Sequence, residues 1–293
     1  MALFPAIRRG DVQGVNELIE RGADVNATMG SQGSTPLIVA AKCGQTAVVA
    51  VLVAAGALIE HSGLAGWTAL HVACAEGHLG TVQHLVTRAL ANVVARTNEG
   101  WSPYACAARG GHLHVMQVLE DHGALRMEAA CADRALYRSA LTAAANGGQL
   151  ALVQGLIIGG GADKDGGGGG YTPLAEAARG GHVAVVNYLA LAAADLNSRG
   201  GGLGLSPLIA AAYGNHATVV ATLLAHGADA SCVDDAHGTA LHVAAGAAYT
   251  DVMRCLLAHP GCDVNALDRY RRTPLHVAVR KVSRCYAHRV AVC

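Results

Sequence analysis

The feature that most constrains the fold is a short motif that returns at a nearly fixed interval along the chain. Its clearest copy runs from Thr35 to Ala41, where a hydroxyl residue and a proline precede an apolar run. Successive copies lie 33 or 34 residues apart, except for one interval of 37 residues. A period held over this length predicts a stack of one supersecondary unit. The hydroxyl positions are Thr35, Thr68, Ser102, Ser139, Thr172, Ser206, Thr239 and Thr273.

One copy, residues 35–61, contains the signals for two short helices. Thr35 can cap a helix N-terminus through its hydroxyl, and Pro36 suits the first turn, where its missing N–H costs nothing. Gly44 and Gly56 can take the left-handed conformation that ends a helix. Helices of two or three turns do not persist alone in water, so each pair needs the next copy. The sequence therefore predicts an all-α stack.

The motifs together resemble the ankyrin repeat, and the resemblance covers almost the whole chain. The turn between the helices reads as Gly77-His78 and Gly111-His112, and the second helix closes as Gly-Ala-Asp at 22–24 and 227–229. The resemblance implies an ankyrin-repeat solenoid of helix-turn-helix units with β-hairpin finger loops. We expect one array over 1–293 with about nine units, comprising a capping repeat at 1–30, internal repeats at 31–268 and an incomplete, basic repeat at 269–293.

Departures from the repeat predict local irregularities. The one long interval predicts an extended finger loop at 126–134, and the glycines at 166–170 predict a mobile finger. Ala248-Tyr249 replaces the Gly-His turn in one unit, although alanine does not easily adopt the left-handed conformation. Residues 269–293 contain seven Lys or Arg and no Asp or Glu. This basic end is the one marked charge asymmetry in the sequence.

Composition narrows the function classes. The net charge is zero, so there is no global attraction to nucleic acid or to an anionic surface. The nine cysteines include no CxxC pair, and we expect them to be buried free thiols in a reducing compartment. The first ten residues have no long apolar run, so no signal peptide is expected. These features favour a cytoplasmic or nuclear protein.

The fifteen histidines invite a metal or catalytic interpretation, but seven of them recur at two fixed slots of the repeat. Repetition at one structural position predicts a structural role in bonding the backbone. The densest alternative cluster, Cys255, His259 and Cys262, lacks a partner pair for zinc. No phosphate-binding loop or hydrolase motif occurs, so we predict no catalytic site, no metal and no cofactor. The slots are occupied by His71, His242 and His276 and by His78, His112, His182 and His216.

Two sets of side chains are candidates for binding a partner. By the resemblance, ankyrin arrays bind proteins through finger tips and the face of the first helices. Aromatic residues stand before the capping hydroxyl and can serve as interface anchors, or each can fold over its own hairpin. Charged residues and one tyrosine end the first helices, where they can contact a partner or simply be solvated. The candidates are Trp67, Trp101 and Tyr171, and Lys42, Glu76, Arg109, Arg179 and Tyr213.

The leading functional hypothesis is a non-catalytic scaffold, monomeric, that binds a protein partner on its concave and finger face. No small-molecule substrate is expected. One alternative is a substrate-targeting adaptor subunit of an enzyme complex such as a ubiquitin ligase. Another is electrostatic docking to anionic lipid or nucleic acid through the basic C-terminal end, which the neutral net charge of the chain disfavours.

Overall fold

A computed structural model describes residues 3–30, 33–63, 65–124, 140–158, 162–166 and 171–280. The described part is helical, and by internal contacts the chain divides into two compact units, Met1–Ala140 and Leu141–Cys293. We treat each unit by itself, and a single array over 1–293 stays a prediction. The predicted long loop at 126–134 and most of the basic end, 281–293, lie outside the described residues, as do glycines 167–170.

Each repeat of the first unit consists of two short helices of seven to nine residues, as the sequence predicts. We call them the first and the second helix of a repeat. In chain order they are α1 Leu3–Arg9, α2 Val12–Glu20, α3 Pro36–Lys42, α4 Thr46–Ala54, α5 Ala69–Glu76, α6 Leu79–Thr87, α7 Pro103–Gly110 and α8 Leu113–Asp121.

The second unit repeats the same arrangement. Its last described helix has no described second helix beside it. The helices are α9 Ala140–Asn146, α10 Leu150–Ile158, α11 Pro173–Arg179, α12 Val183–Leu191, α13 Pro207–Tyr213, α14 Ala217–Ala225, α15 Ala240–Ala247, α16 Thr250–Leu257 and α17 at 274–280.

Within the described ranges the repeated hydroxyl residues stand at the N-caps of their first helices, which confirms the role predicted for Thr35. Its Oγ1 accepts a hydrogen bond from the N–H of Ile38 at 3.3 Å. Ser102 Oγ accepts from the N–H of Ala105 at 3.1 Å in the same way. Such a cap satisfies one of the free N–H groups of the first turn and stabilises a helix by about 1 kcal/mol.

Stacking of like helices builds the core of each unit. In the first unit α3 packs against α5 and α5 against α7, while α4, α6 and α8 form a second layer. Leu70 and Leu85 are among the leucines that this packing buries completely. Full burial of a leucine stabilises the folded state by roughly 2 kcal/mol. In the second unit α11, α13 and α15 stack likewise, and Leu208 and Leu223 are completely buried.

The predicted finger hairpins are tight turns. Single antiparallel bridges join Met29 to Ser34 and Gly200 to Leu205, and among the described residues no finger extends into a longer strand pair. In the described fingers the turns nevertheless fix the residues that precede a first helix, as Trp101 shows by accepting a hydrogen bond at its carbonyl from the N–H of Thr97 at 3.0 Å. None of the described helices combines the length and the apolar character needed to cross a bilayer.

Candidate functional site

Four of the predicted binding residues line one groove of the first unit, which we call the first groove. Its volume is about 390 Å³. Lys42, Glu76 and Arg109 are exposed and stand in the last turns of α3, α5 and α7. Because these helices stack side by side, the three side chains present positive, negative and positive charge in that order along the groove.

Apolar side chains form the rest of the first groove. Ile38 and Val72 come from the first helices, and the half-buried Trp67 comes from the finger before α5. The Trp67 ring lies edge-on to the imidazole of His71, with 6.1 Å between the ring centroids. An apolar floor between charged side chains suits a ligand with alternating apolar and charged groups. The remaining lining residues are Ser34, Gly63, Ala65 and Ala75.

Trp101 is not an exposed anchor; of the two alternatives left open by the sequence, it adopts the one in which the ring folds over its own hairpin. Only 3% of the residue is accessible, because its ring folds back over its own finger turn. The indole Nε1 donates a hydrogen bond to Glu99 Oε2 at 3.1 Å. The Arg109 guanidinium carbon lies 5.7 Å from the ring centroid, within the range of a cation–π contact. Trp101 therefore positions Arg109 at the first groove.

The other three predicted residues line a groove of the second unit, the second groove, with a volume of about 450 Å³. Tyr171 and Tyr213 lie along it with Arg179, and Tyr213 is 46% exposed. Burial and the nearby Asp234 carboxylate raise the pKa of Tyr213, so its phenol stays protonated at neutral pH and can donate a hydrogen bond. The other lining residues are Leu203, Leu205 and Gly214.

A buried carboxylate that sequence reasoning missed holds Arg179. The Arg179 guanidinium donates to Glu176 Oε2 at 2.9 Å, and the Glu176 side chain is 0% exposed. The same oxygen accepts a hydrogen bond from Asn146 Nδ2 on α9. The signal in the sequence was a charged residue in a helix slot that is apolar in other copies, such as Val39 and Val72. Glu176 thus orients Arg179 toward the second groove.

The turn histidines bond the helix ends that carry the groove residues, which confirms their predicted role. The Nε2–H of His78 donates to the carbonyl of Lys42 at 3.0 Å. His216 donates in the same way to the carbonyl of Arg179 at 3.0 Å, and His112 to that of Ala75 at 3.0 Å. Each bond satisfies a carbonyl that the helix itself leaves unpaired. Each also ties one repeat to the one before it.

The histidines of the other slot stabilise the first turn of a first helix. His71 and Thr68 form a capping box, with His71 Nδ1 2.8 Å from the hydroxyl of Thr68. Its Nε2 lies 3.1 Å from the carbonyl of Trp101 in the next repeat. His242 makes the matching contacts in the second unit. Within the described ranges, no histidine of either slot belongs to a group of three or more side chains that could hold a metal ion.

The six cysteines of the described ranges are free, although they are not all buried as expected. Cys74 and Cys106 are buried, and burial raises the pKa of both thiols, that of Cys106 to about 12. They stay protonated at neutral pH and are therefore poor nucleophiles. Cys43 is exposed and Cys255 is half-buried. The prediction that the cysteines are buried is therefore wrong for these two residues.

The described part of the basic end forms a small cluster on the finger before α17. The guanidinium carbons of Arg269 and Arg272 each lie 4.7 Å from the centroid of the Tyr270 ring. Arg272 also pairs with Asp268 at 2.6 Å, and this contact holds the pKa of that carboxyl below its usual value despite burial. One of these positive charges is thus neutralised locally.

Family models for ankyrin repeats match most of the chain. A model for three ankyrin repeats matches residues 57–128, 127–200 and 208–288, and a model for many copies matches residues 3–53. The matches follow the observed helix pairs in both units.

Individual relatives match only a part of this chain and only a part of their own length. The ankyrin repeat and KH domain-containing protein mask-1 of Caenorhabditis elegans is 35% identical over 224 residues, covering 67% of this chain and 8% of that protein. Human protein phosphatase 1 regulatory subunit 27 is 35% identical over 81 residues, covering 28% of this chain and 53% of the subunit. The glycerophosphocholine phosphodiesterase gde1 of Schizosaccharomyces pombe is 33% identical over 87 residues, covering 30% and 8%. The chain thus spans less than two thirds of the length of each.

Proposed function

The chain belongs to the ankyrin repeat family, and we propose that it is a non-catalytic scaffold that binds a protein partner through the grooves beside its first helices. Ankyrin repeats generally mediate protein–protein interaction and are typically not catalytic. One relative is named as a regulatory subunit of a phosphatase, which supports a protein as the class of ligand.

The observation that carries the proposal is the first groove. Lys42, Glu76 and Arg109 come from three successive repeats and line one surface with Trp67. Hydrogen bonds from the turn histidines hold the ends of α3 and α5, so the charges of Lys42 and Glu76 are presented from fixed helix ends. Preorganised charged groups around an apolar floor lower the ordering cost of binding.

The experiment is capture of partners by the tagged full chain, read by mass spectrometry. We expect Lys42→Gln/Glu76→Gln/Arg109→Gln to reduce recovery of the specific partners by about tenfold, because exposed charge contacts are each worth about 0.5 kcal/mol. The matched control is Glu17→Gln/Arg21→Gln/Arg88→Gln, which removes the same charges from exposed positions on or at the ends of second helices.

The control variant should capture the partners as the wild type does. Equal capture by both triple variants would remove the first groove from the proposal. A further double variant, Leu203→Ser/Tyr213→Ser, tests whether the second groove contributes to capture, since both side chains are exposed there. Circular dichroism of each variant separates a binding defect from a folding defect.

We further propose a cytoplasmic or nuclear location. The free cysteines of the described ranges support it, because reduced thiols persist in those compartments. Imaging of the tagged full-length protein in its native cell tests the location, and retention in the secretory pathway would exclude it.

A further inference from the structure

The last described first helix, α17, exposes two slots that are buried in the other repeats. Leu275 is 72% exposed and Val279 is 56% exposed. The residues that hold these slots in α15, Leu241 and Ala245, are buried, and both slots are buried in every described first helix from α3 to α13. Because Leu275 and Val279 lie four positions apart, they form one apolar row along α17.

The neighbours of a first helix explain the difference. In the second unit α13 packs against its own second helix, α14, and against the next first helix, α15. On α17, Val277 packs against α15, where a Cβ at Gly246 would lie 3.0 Å from its Cγ1. Within the described ranges, no second helix and no further first helix follows α17. Among the described elements, the apolar row thus lacks the two helices that cover it elsewhere.

His276 shows the same opening in its hydrogen bonds. In the same slot one repeat earlier, His242 Nε2 lies 2.9 Å from the carbonyl of Arg272 in the following finger. The Nδ1 of His276 accepts from the N–H of Thr273 at 3.3 Å, so the proton of the neutral ring is on Nε2. No described residue accepts a hydrogen bond from that Nε2–H. His276 therefore offers a donor beside the apolar row.

Positive charges stand at both ends of the apolar row, and we call them the flanking arginines. Arg269 and Arg271 are exposed on the finger before α17, and Arg280 is exposed in its last turn. In the part of the chain that the structure describes, none of the three pairs with a carboxylate. A ligand that follows the row therefore meets positive charge, an apolar centre and positive charge again.

Charge distinguishes the three occupants that could cover the row: residues 281–293, a second copy of the chain, and a partner protein. Residues 281–293 contain three Lys or Arg and no Asp or Glu, so they would bring like charge to the flanking arginines. A second copy that met the same end would do the same. A partner with acidic residues has complementary charge, which favours its encounter and fixes its orientation.

We propose that the open side of α17 binds an acidic amphipathic helix of a partner protein. Its apolar residues pack on Leu275 and Val279, and its carboxylates pair with the flanking arginines and accept the Nε2–H of His276. Helices cover this row in the other repeats, and an amphipathic helix in an apolar groove is a common mode of peptide recognition. The inference adds a surface to the two grooves of the proposed function and does not depend on them.

The test is the affinity of a labelled peptide for the full chain, measured by fluorescence anisotropy. The probe is the capped peptide Glu-Glu-Ala-Val-Val-Ala-Ala-Leu-Leu-Ala-Glu-Glu, whose apolar residues keep the spacing of Val219, Val220, Leu223 and Leu224 in α14. One control peptide has the same composition in an order that gives the valines and leucines no common helix face, and another has lysine in place of glutamate. We expect the probe to bind about tenfold more tightly than either control. Binding of either control as tight as that of the probe would overturn the inference.

Substitution of the apolar row makes the test specific to α17. Leu275→Ser/Val279→Ser should weaken binding of the probe about tenfold, because two apolar contacts are lost. The matched control is Leu191→Ser/Leu257→Ser, which changes two side chains of the second unit that are also exposed. This control should bind the probe as the wild type does. Wild-type affinity in Leu275→Ser/Val279→Ser would contradict the proposed contact.

Substitution of the flanking arginines tests the charge pairs. Arg269→Gln/Arg271→Gln/Arg280→Gln should weaken binding about tenfold, since three exposed charge pairs are at stake. The control removes three positive charges elsewhere in the second unit and should leave the affinity unchanged. An equal loss in both variants would mean that the total charge, and not the flanking arginines, attracts the probe, and would overturn the assigned pairs. The control is Lys164→Gln/Arg199→Gln/Arg254→Gln.

The other occupants predict different results, and each of these results would overturn the inference. If residues 281–293 cover the row, the probe should not bind, and Leu275→Ser/Val279→Ser should unfold at a clearly lower temperature than its control because buried contacts are lost. If a second copy covers the row, sedimentation should show a dimer that the same variant dissociates. If an anionic membrane is the ligand, vesicles of phosphatidylserine and phosphatidylcholine should displace the probe.

Discussion

At the scale of single residues, His71 shows how a polar side chain is tolerated in the core. Its Nδ1 accepts a hydrogen bond from the N–H of Thr68 at 3.3 Å, so the proton of the neutral ring is on Nε2. That Nε2–H donates to the carbonyls of Ala95 and Trp101, each at 3.1 Å. A second proton on Nδ1 would face the Thr68 N–H. Burial accordingly lowers the pKa of His71 to about 4.

This lowered pKa predicts that the first unit loses stability in mild acid. The unfolded chain takes up a proton near pH 6.5, whereas the folded chain takes it up only near pH 4. Between these values the unfolded state holds more protons, so the free energy of unfolding falls as the pH falls. The contribution is fully present above about pH 6.5, and about 2–3 kcal/mol of it is lost by about pH 4.5.

Urea denaturation at pH 7 and at pH 4.5 measures the loss. Tryptophan fluorescence reports on the first unit alone, because both tryptophans of the chain, Trp67 and Trp101, lie in it. His71→Gln should show a smaller difference between the two pH values than the wild type. His276→Gln changes the same slot at an exposed position and should leave the difference unchanged. An unaltered difference in His71→Gln would contradict the prediction.

At the scale of elements, the way a first helix ends depends on the next repeat. The left-handed residue after α3 is Gly44, and a Cβ there would lie 2.7 Å from the imidazole of His78. At Gly181 a Cβ would meet His216 at 2.6 Å. Where the following turn carries Tyr249 instead of histidine, Asn215 takes the left-handed conformation with φ 60°. Glycine is thus required by the neighbouring histidine as well as by the backbone.

Ala248 ends α15 in the left-handed conformation, with φ 61°, although it is not a glycine. Alanine in this conformation costs about 1 kcal/mol relative to glycine. Ala248→Gly should therefore raise the free energy of unfolding of the second unit by about that amount, measured by urea denaturation with circular dichroism. Gly181→Ala in the same unit should lower it by more, since strain and the contact with His216 add. A destabilised Ala248→Gly would show that the strain is absent.

Some of these features could be predicted from the sequence and others could not, and the physical reason differs between the two groups. The hydroxyl of Thr35 and the ring of Pro36 act within one helical turn, so local chemistry fixes the helix start. The orientation of Trp101 depends on Glu99 and Arg109, which a motif does not arrange. The buried Glu176 needs Asn146 from the previous repeat. Features fixed within one helical turn, or repeated at the same slot in several copies, could therefore be predicted, whereas features that need particular side chains to meet could not.

At the scale of the whole molecule, stability follows from contacts between adjacent repeats. First helices pack on first helices and second helices on second helices within each unit. An array with such contacts behaves as a sum of repeat stabilities and nearest-neighbour terms. A local loss of packing should therefore spread to the adjacent repeats and weaken with distance along the chain. The extent of that spread also tests the expectation of one array over 1–293.

Hydrogen exchange with mass spectrometry measures this spread. Leu85→Ala in α6 and Leu223→Ala in α14 each remove a completely buried side chain and cost about 3 kcal/mol. We expect each substitution to reduce amide protection most in its own repeat, less in the repeats beside it, and least in the other unit. Leu113→Ala and Leu191→Ala are the matched controls, because these side chains are 60% and 71% exposed, and they should change protection little. Uniform loss of protection from residue 3 to residue 280 after a single core substitution would instead mean that the two units unfold together, because coupling confined to neighbours cannot carry an undiminished effect across every repeat.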